Sequence, residues 1–134
     1  MNDRPDFVVA AVVVRDDDGR VLVVRKAGTS RFMLPGGKIE AGETPAQAAL
    51  RELREEVGAV LDPSLLAELG DWTAPAANEP GRTVHGHIFT HPWVDGIAAQ
   101  AEIDEVQWLL PSQMDARDDL APLLLTRVRP LLSD

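Results

Sequence analysis

A glycine-containing loop that leads into a short acidic helix, residues 37–59, constrains this chain more than any other stretch. Thr44 is placed to cap the N-terminus of the helix, and Pro45 suits the first helical position. Gln47 follows Thr44 by three residues, which is the spacing of a capping box. Gly58 stands where a residue in the left-handed conformation ends a helix. The sequence therefore predicts both ends of this helix.

The same helix is predicted to have an apolar face and an acidic strip. Five apolar residues fall on one side, which we expect to face the core: Ala46, Ala49, Leu50, Leu53 and Val57. Glu52, Glu55 and Glu56 fall together on an adjacent strip, bordered by Arg51. Like charges at this spacing cost about 0.2–0.5 kcal/mol per pair. The strip is therefore either a solvated surface, the simpler interpretation for the helix alone, or a site for a hard divalent ion such as Mg²⁺.

The loop before the helix favours the ion, because loop and helix together resemble the signature of the Nudix hydrolase family. Seven positions match the family pattern: Gly37, Glu43, Arg51, Glu52, Glu55, Glu56 and Gly58. At an average usage of about 6% per residue type, seven fixed positions match by chance about once in 10⁸ starts. Ala59 departs from the pattern, which usually has a larger aliphatic residue there. We interpret position 59 as a packing position.

The resemblance implies a metal centre that holds Mg²⁺, with Mn²⁺ as the alternative ion. The ligands that it implies are Glu52, Glu55 and Glu56 and a backbone carbonyl of the loop, that of Gly37 or, as the alternative, Gly36. Glu43 is expected to accept hydrogen bonds that fix the loop against the helix. Arg51 is expected to orient the neighbouring carboxylates through charge-assisted hydrogen bonds. The general base is left open between a glutamate of the motif and Glu102.

Outside the motif, the resemblance implies an acidic residue just before the last strand, near the metal. Glu102 is the first candidate and Glu105 the second, and a solvent-exposed acid is the alternative for either. Four further residues are candidates for substrate binding: Arg25, Lys26, Phe32 and Lys38. For Arg25 and Lys26 the alternative is a solvated strand end. For Phe32 the alternative is core packing.

Composition limits the function further. A chain of 134 residues is expected to form one domain, residues 1–134. A net charge of −9 argues against binding to nucleic-acid polymers, which need a basic surface. A phosphorylated small molecule would also be repelled unless metal ions or local basic residues offset that charge. The absence of cysteine excludes disulfides, thiolate zinc sites and cysteine nucleophiles.

Membrane association is not expected. The longest apolar run, Phe7 to Val14, has eight residues and is too short to cross a bilayer. The segment before it lacks the net positive charge of a signal peptide. We therefore expect a cytoplasmic protein.

The remaining elements follow from periodicity and from turn residues. Strands are predicted at Phe7–Val14, Val21–Val24, Leu65–Thr73, Arg82–Thr90 and within Glu102–Leu110, helices at Pro111–Ala116 and Leu120–Leu132, and a tight turn at Pro35–Gly37. This order suits an α/β (α+β) arrangement with a mixed sheet between helices. The family resemblance makes it the Nudix fold, an α/β/α sandwich.

Three histidines lie in or near the fourth strand. His85 and His87 share one face of it, which makes a transition-metal site conceivable. Without a third ligand nearby, the two residues more often only line a sheet, and we prefer that interpretation. His91 is expected on the opposite register or beyond the end of the strand.

We predict a metal-dependent hydrolase that cleaves a pyrophosphate linkage in nucleoside triphosphates or other nucleoside diphosphate-X compounds. Removal of oxidised or noncanonical nucleotides is the leading specific role. Dinucleoside polyphosphates, nucleotide sugars and ADP-ribose are the next candidates. A catalytically silent nucleotide sensor and an interaction domain with a solvated acidic helix are the alternatives outside catalysis. Base recognition is expected in the loops Arg25–Phe32 and Ala74–Arg82, and the resemblance adds a homodimer as an expectation.

Overall fold

A mixed six-stranded sheet forms the centre of the computed structural model, which describes residues 4–134. Its strands are β1 Phe7–Arg15, β2 Val21–Lys26, β3 Gly36–Lys38, β4 Ala67–Pro75, β5 Thr83–Pro92 and β6 Ile103–Leu109. The strand order is β4-β5-β1-β2-β6, and β3 pairs with β1. The β1–β5 pair is parallel and the other pairs are antiparallel. The predicted mixed sheet is confirmed.

Helical segments cover the two faces of this sheet. Helix α1 spans Pro45–Val57 and a short helix α2 spans Pro111–Met114. A 3₁₀ turn at Pro63–Leu65 precedes β4, and the C-terminal segment contains a π-helical turn at Leu124–Val128 and a 3₁₀ turn at Arg129–Leu131. Helix α1 packs on one face and the C-terminal segment on the other. This arrangement is the predicted α/β/α sandwich.

Strand β1 is central because its side chains are apolar on both faces. Ala10, Val12 and Val14 pack towards α1, whereas Ala11 and Val13 pack towards the C-terminal segment. All five side chains are buried. A strand with two buried faces reads as a continuous apolar run, which is why its position was visible in the sequence.

The predicted strands and the short helix α2 are confirmed to within two residues at each end, but two elements differ from the prediction. Residues 35–37 do not form only a tight turn, because Gly36–Lys38 continues as strand β3 against β1. The predicted long helix Leu120–Leu132 is present as a shorter, irregular helical run over residues 122–131, which passes through a π turn and ends in a 3₁₀ turn. Pro130 has no N–H to donate to a regular helix, and Leu120 forms a parallel bridge with Phe32 instead.

The expected position of His91 was also wrong. His91 lies inside β5, opposite Val14, and its side chain is 4% exposed. Its Nε2 atom accepts a hydrogen bond of 2.9 Å from the Asp62 N–H. The residue therefore shares the α1 side of the sheet with Phe89, two positions earlier.

None of the helices that the structure describes has the length and the apolar content needed to span a bilayer.

Candidate active site

Helix α1 has the ends that the sequence predicted. The Thr44 hydroxyl accepts a hydrogen bond from the Gln47 N–H at 3.1 Å, and the Gln47 side chain accepts one from the Thr44 N–H at 2.9 Å. Gly58 has φ 68° and closes the helix in the left-handed conformation. The glutamates between these caps are therefore held on a helix whose start and end are fixed.

Glu56 is more buried than its place on the acidic strip indicated. Only 7% of the residue is exposed, and its Oε1 atom accepts a hydrogen bond of 2.8 Å from the Gly36 N–H. The Lys26 ammonium lies 3.9 Å from Oε2. Burial raises the pKa of Glu56 to about 7, and the negative charges of Glu52 and Glu102 act in the same direction. Glu56 is thus a buried carboxylate with a distant cation and two acidic neighbours.

The two glycines of β3 let the loop lie directly against α1 and β1. A Cβ atom on Gly37 would stand 2.5 Å from the Glu52 carboxyl carbon. A Cβ atom on Gly36 would stand 2.1 Å from the Ala10 carbonyl oxygen. The space at Gly36 admits no side chain, because the backbone of β1 fills it, whereas a side chain at Gly37 would have to displace the Glu52 carboxylate. The Glu52 carboxylate therefore rests on the backbone of the loop.

Arg51 connects the loop to the acidic strip. It contacts both carboxylate oxygens of Glu43, at 2.7 and 2.9 Å, and the Lys38 carbonyl at 3.0 Å. Its Nη1 atom donates to Glu52 at 2.7 Å and to Glu55 at 3.3 Å. These are the hydrogen bonds that the resemblance implied for Arg51.

The role expected of Glu43 in fixing the loop has the same geometric basis. Glu43 also accepts a hydrogen bond of 2.9 Å from the Glu40 N–H, so its carboxylate joins the loop to the helix. The hydrogen bonds from Arg51 lower the pKa of Glu43 to about 2. Glu43 is therefore a carboxylate committed to structure, with both oxygens engaged.

The remaining carboxylates fit a hard divalent ion by their chemistry. Glu52, Glu56 and Glu102 offer only oxygen donors, the ligands that Mg²⁺ prefers. Their oxygens do not meet within 4.8 Å in the described part of the chain. Mg²⁺ usually keeps several of its waters, so carboxylates need not converge as tightly as in an all-protein cage. Glu55 is the outermost candidate, with 55% of its side chain exposed.

The two acidic candidates near β6, Glu102 and Glu105, have different surroundings. Glu102 lies just before the strand, its charge acts on Glu56, and its backbone carbonyl accepts a hydrogen bond from Ala27. Glu105 lies inside the strand and contacts Arg25 and Gln107. The charge of Glu102 thus acts on a motif carboxylate, and its place in the site stays a prediction.

The four candidates for substrate binding fall into two pairs. The Arg25 guanidinium donates to Asp104 at 2.9 Å and to the Thr29 carbonyl at 3.0 Å. Phe32 is 4% exposed and belongs to the core, with Arg25 and Arg117 above its ring. Phe32 thus has the surroundings of its packing alternative, whereas Arg25 is neither a solvated strand end nor free for a phosphate, because its guanidinium is engaged within the chain.

Lys26 and Lys38, in contrast, both line an apolar cavity beside the motif loop. The cavity lies between the sheet and the C-terminal segment. Val9, Ala11 and Ile88 line it from the sheet, and Leu124 lines it from the C-terminal segment. The loop at residues 76–78 forms another wall, including Asn78, whose side-chain oxygen accepts a hydrogen bond from the Arg31 N–H at 3.3 Å.

Sequence reasoning placed base recognition in the two loops 25–32 and 74–82, and both contribute to the cavity. It missed the contribution of the sheet and of the C-terminal segment. The only signal for these was their apolar character, which is equally typical of core residues.

Comparison with known proteins agrees with this geometry. The family model described as NUDIX domain matches residues 5–127. The chain is 52% identical over 59 residues to an RNA pyrophosphohydrolase of Halorhodospira halophila, covering 44% of this chain and 32% of the relative. It is 43% identical over 54 residues to an 8-oxo-dGTP diphosphatase of Escherichia coli, covering 37% and 42%. The matched part thus spans less than half the length of these two relatives.

A longer match joins the chain to a CTP pyrophosphohydrolase of Escherichia coli, with 32% identity over 111 residues, 79% of this chain and 76% of the relative. Among solved structures, a MutT NUDIX hydrolase from Burkholderia pseudomallei has a TM-score of 0.76 at 19% identity. That match covers 96% of this chain and 98% of the other, and it concerns the fold alone. The acidic helix, the loop that rests on it and the family match over residues 5–127 lead to one conclusion: the chain belongs to the NUDIX family.

Proposed function

We propose that this chain is a Mg²⁺-dependent hydrolase that cleaves the pyrophosphate linkage of a nucleoside triphosphate or a related nucleoside diphosphate-X compound. The observation that carries the proposal is the environment of Glu56. A buried carboxylate, bound by the backbone of the motif loop and 3.9 Å from the Lys26 ammonium, is costly unless a further positive charge arrives. The negative charges of Glu52 and Glu102 make the ionised form of Glu56 still less favourable without such a cation.

The residues of the chain take the following parts in the proposed reaction. Glu52, Glu56 and, at the outer edge, Glu55 would hold the ion, together with the carbonyl of Gly37. The chemistry supplied by such an ion would be polarisation of a phosphoryl oxygen and activation of water. Arg51 and Glu43 hold the helix and the loop in register. The general base stays a prediction between a motif glutamate and Glu102.

The substrate would lie with its phosphates at the loop and its nucleoside in the apolar cavity. Lys26 and Lys38 line the cavity together with Gly36 and Gly37 of the motif loop, so their ammonium groups would meet the phosphates there. Apolar walls suit the faces of a base, and a few polar groups give direction. The Asn78 side chain is such a group, since its oxygen is held by Arg31 and its NH₂ group remains able to donate. In this proposal Arg25 and Phe32 do not contact the substrate and only support the wall of the cavity.

Oxidised or noncanonical nucleoside triphosphates are the substrates that we propose first. Relatives named for 8-oxo-dGTP and for CTP support a mononucleotide substrate. The relative named for RNA raises the alternative of a polymer end, but a net charge of −9 disfavours a long polyanion. Dinucleoside polyphosphates, nucleotide sugars and ADP-ribose come next.

The test is a hydrolysis screen of the purified protein, with and without Mg²⁺, in which the products are separated. The panel holds canonical and oxidised nucleoside triphosphates, dinucleoside polyphosphates, nucleotide sugars, ADP-ribose and a 5′-triphosphorylated RNA. Release of a nucleoside monophosphate and pyrophosphate, only with metal, is the expected result. Lack of turnover across the panel in both Mg²⁺ and Mn²⁺ would favour the silent sensor instead.

An Asn78→Ala variant tests the proposed nucleoside position within the same screen. We expect a higher KM for the preferred base with a smaller change in kcat, since a binding contact is removed away from the phosphates. If the Asn78→Ala variant and the wild type had the same KM and kcat, the nucleoside would not bind in this cavity.

The organisation as one domain over residues 1–134, the homodimer and the cytoplasmic location stay predictions.

A further inference from the structure

A second group of potential metal ligands lies on the edge of the sheet, outside the acidic site. Asp71 on β4 and His85 and His87 on β5 bring one donor atom each to within 4.8 Å of one another. Within residues 4–134, no other set of three histidine, aspartate, glutamate or cysteine side chains meets as closely. The cluster therefore differs from a chance pair of surface charges.

The register of the sheet explains how the third ligand arrives. Asp71 lies directly opposite His87 in the antiparallel β4–β5 pair, and Thr73 lies opposite His85. Residues opposite each other point to the same face, as do residues two apart in one strand. From sequence alone, His85 and His87 lacked a third partner. Pairing with β4, more than ten residues earlier in the chain, supplies it.

The His85 ring is already oriented for metal binding. Its Nε2 atom lies 2.9 Å from an Asp71 carboxylate oxygen, and its Nδ1 atom lies 2.7 Å from the Thr73 hydroxyl. Histidine ligands generally use one ring nitrogen for the metal and the other for a fixed hydrogen-bond partner. The His87 ring stands edge-on to His85, with 5.2 Å between ring centroids. Thr73 would therefore hold the His85 ring through Nδ1, and the Nε2 atom of His85 would face the metal ion.

We propose that Asp71, His85 and His87 bind a divalent transition-metal ion, with Zn²⁺ as the ion of choice. Two imidazoles and one carboxylate form the donor set of three-ligand Zn²⁺ sites, in which water fills the fourth position. Ligand bonds of about 2.0–2.1 Å in a tetrahedron separate donor atoms by about 3.3 Å, so that the present spacing needs only a small adjustment. Mg²⁺, which prefers oxygen ligands, would not select these imidazoles.

This site would be separate from the carboxylates of α1. Strands β5 and β3 lie on opposite sides of β1, and His87 and Gly37 both pair with Ala10. Two strand spacings therefore lie between their Cα atoms, about 10 Å. The ion would join strand β4, at the edge of the sheet, to its neighbour β5, and so stabilise this edge independently of the proposed hydrolysis.

A titration of the metal-stripped protein with Co²⁺, a spectroscopic substitute for Zn²⁺, tests the site. We expect one equivalent to produce visible absorption bands of nitrogen- and oxygen-bound Co²⁺, which Zn²⁺ then displaces. His85→Gln, His87→Gln and Asp71→Asn should each weaken Co²⁺ binding at least 10-fold. Asp71 is exposed, so its variant keeps the test valid if a histidine variant fails to fold.

Two control variants should leave the Co²⁺ signal unchanged. Asp17→Asn removes an exposed carboxylate on the β1–β2 turn, and His91→Gln removes the remaining histidine, which contacts the Asp62 backbone. Equal weakening in the controls, or equal binding by wild type and the Asp71→Asn variant, would overturn the proposal. Addition of Zn²⁺ should also raise the melting temperature of the wild type but not of the Asp71→Asn variant.

Discussion

At the scale of single residues, Glu56 has the most informative surroundings. Its carboxylate is buried and bonded to the Gly36 N–H, and the nearest ammonium is 3.9 Å away. A buried carboxylate without close compensation favours the protonated form, and its pKa rises from the ordinary 4.5 to about 7. An uncompensated buried carboxylate destabilises the fold, so a purely structural role does not explain Glu56. A role as the ligand of a metal ion does explain it, because the ion would supply the missing positive charge.

Glu56 should make the metal-free protein less stable as the pH rises. A raised pKa in the folded state means that the folded protein binds the proton more tightly than the unfolded chain. Stability therefore falls between pH 4.5 and about 7, by up to about 3 kcal/mol in total. Urea unfolding in EDTA at several pH values measures this slope.

The Glu56→Gln variant is the control for that measurement, since its amide oxygen keeps the bond to Gly36 without the charge. We expect the metal-free variant to be more stable than the wild type at pH 8, and the two to converge near pH 4.5. A variant that is less stable at pH 8 would mean that the charge of Glu56 is already compensated within the chain.

A Gly37→Ala substitution should displace the Glu52 carboxylate, because the added Cβ would stand 2.5 Å from its carboxyl carbon. We expect a loss of stability of about 1–3 kcal/mol, in the range of overpacked sites, together with a lower kcat. A double-mutant cycle with Glu52→Ala measures the coupling by urea unfolding. If Gly37→Ala costs as much in the Glu52→Ala background as in the wild type, the loop does not rest on this carboxylate.

The site residues show which parts of such a centre the sequence predicts. The spacing of Glu52 and Glu55 on a capped helix and the partners of Arg51 follow from local geometry. The burial of Glu56 does not, because it depends on a loop 20 residues earlier in the chain that closes over the helix. The same holds for Asp71, which joins His85 and His87 only through the pairing of two strands.

At the scale of elements, α1 is defined by its own sequence. Thr44, Gln47 and Gly58 fix its ends through hydrogen bonds within a few residues. The C-terminal segment is the opposite case. A helix was predicted over Leu120–Leu132, but the bridge between Leu120 and Phe32 delays its start, and the run over residues 122–131 is irregular and ends in a 3₁₀ turn at Pro130. Of its apolar residues, Leu131 is 54% exposed, while Leu120, Leu124 and Val128 are buried.

Removal of the N-cap should weaken α1 without changing its chemistry. We expect Thr44→Ala to cost about 1 kcal/mol of unfolding free energy, the usual effect of losing such a cap. Thr44→Ser, which keeps the hydroxyl, should cost much less. Hydrolysis per folded molecule should be unchanged in both variants. Equal losses of stability for alanine and serine would exclude the Thr44 hydroxyl as a stabilising cap.

At the scale of the whole molecule, the sheet brings two different ligand sets to separate places. The oxygen-only set lies where loop, α1 and the start of β6 meet, and the imidazole set lies at the β4–β5 edge. The strand pattern predicted five of the six strands to within two residues, since β-branched runs and turn residues are local signals, and it missed the short strand β3. The cavity was not predicted, because its walls come from distant segments whose apolar residues resemble a core.

The net charge of −9 gives the metal a further role at this scale. A nucleoside triphosphate approaching such a chain is repelled, and the repulsion is strongest where Glu52, Glu56 and Glu102 are close together. Lys26 and Lys38, which line the cavity, offset only part of it. Binding of substrate and binding of the ion should therefore be coupled, each increasing the affinity for the other.

The measurement that tests the central claim most directly compares Mn²⁺ binding and hydrolysis in wild type, Glu56→Gln and Glu68→Gln. Glu68 is an exposed carboxylate on β4, away from the motif. Mn²⁺ binding is followed by electron paramagnetic resonance in the same samples that are assayed with the best substrate of the screen. We predict that Glu56→Gln alone loses tight Mn²⁺ binding and about 10³-fold or more in kcat. A Glu56→Gln variant that binds Mn²⁺ and turns over substrate like the wild type would contradict the assignment of this carboxylate to the metal centre.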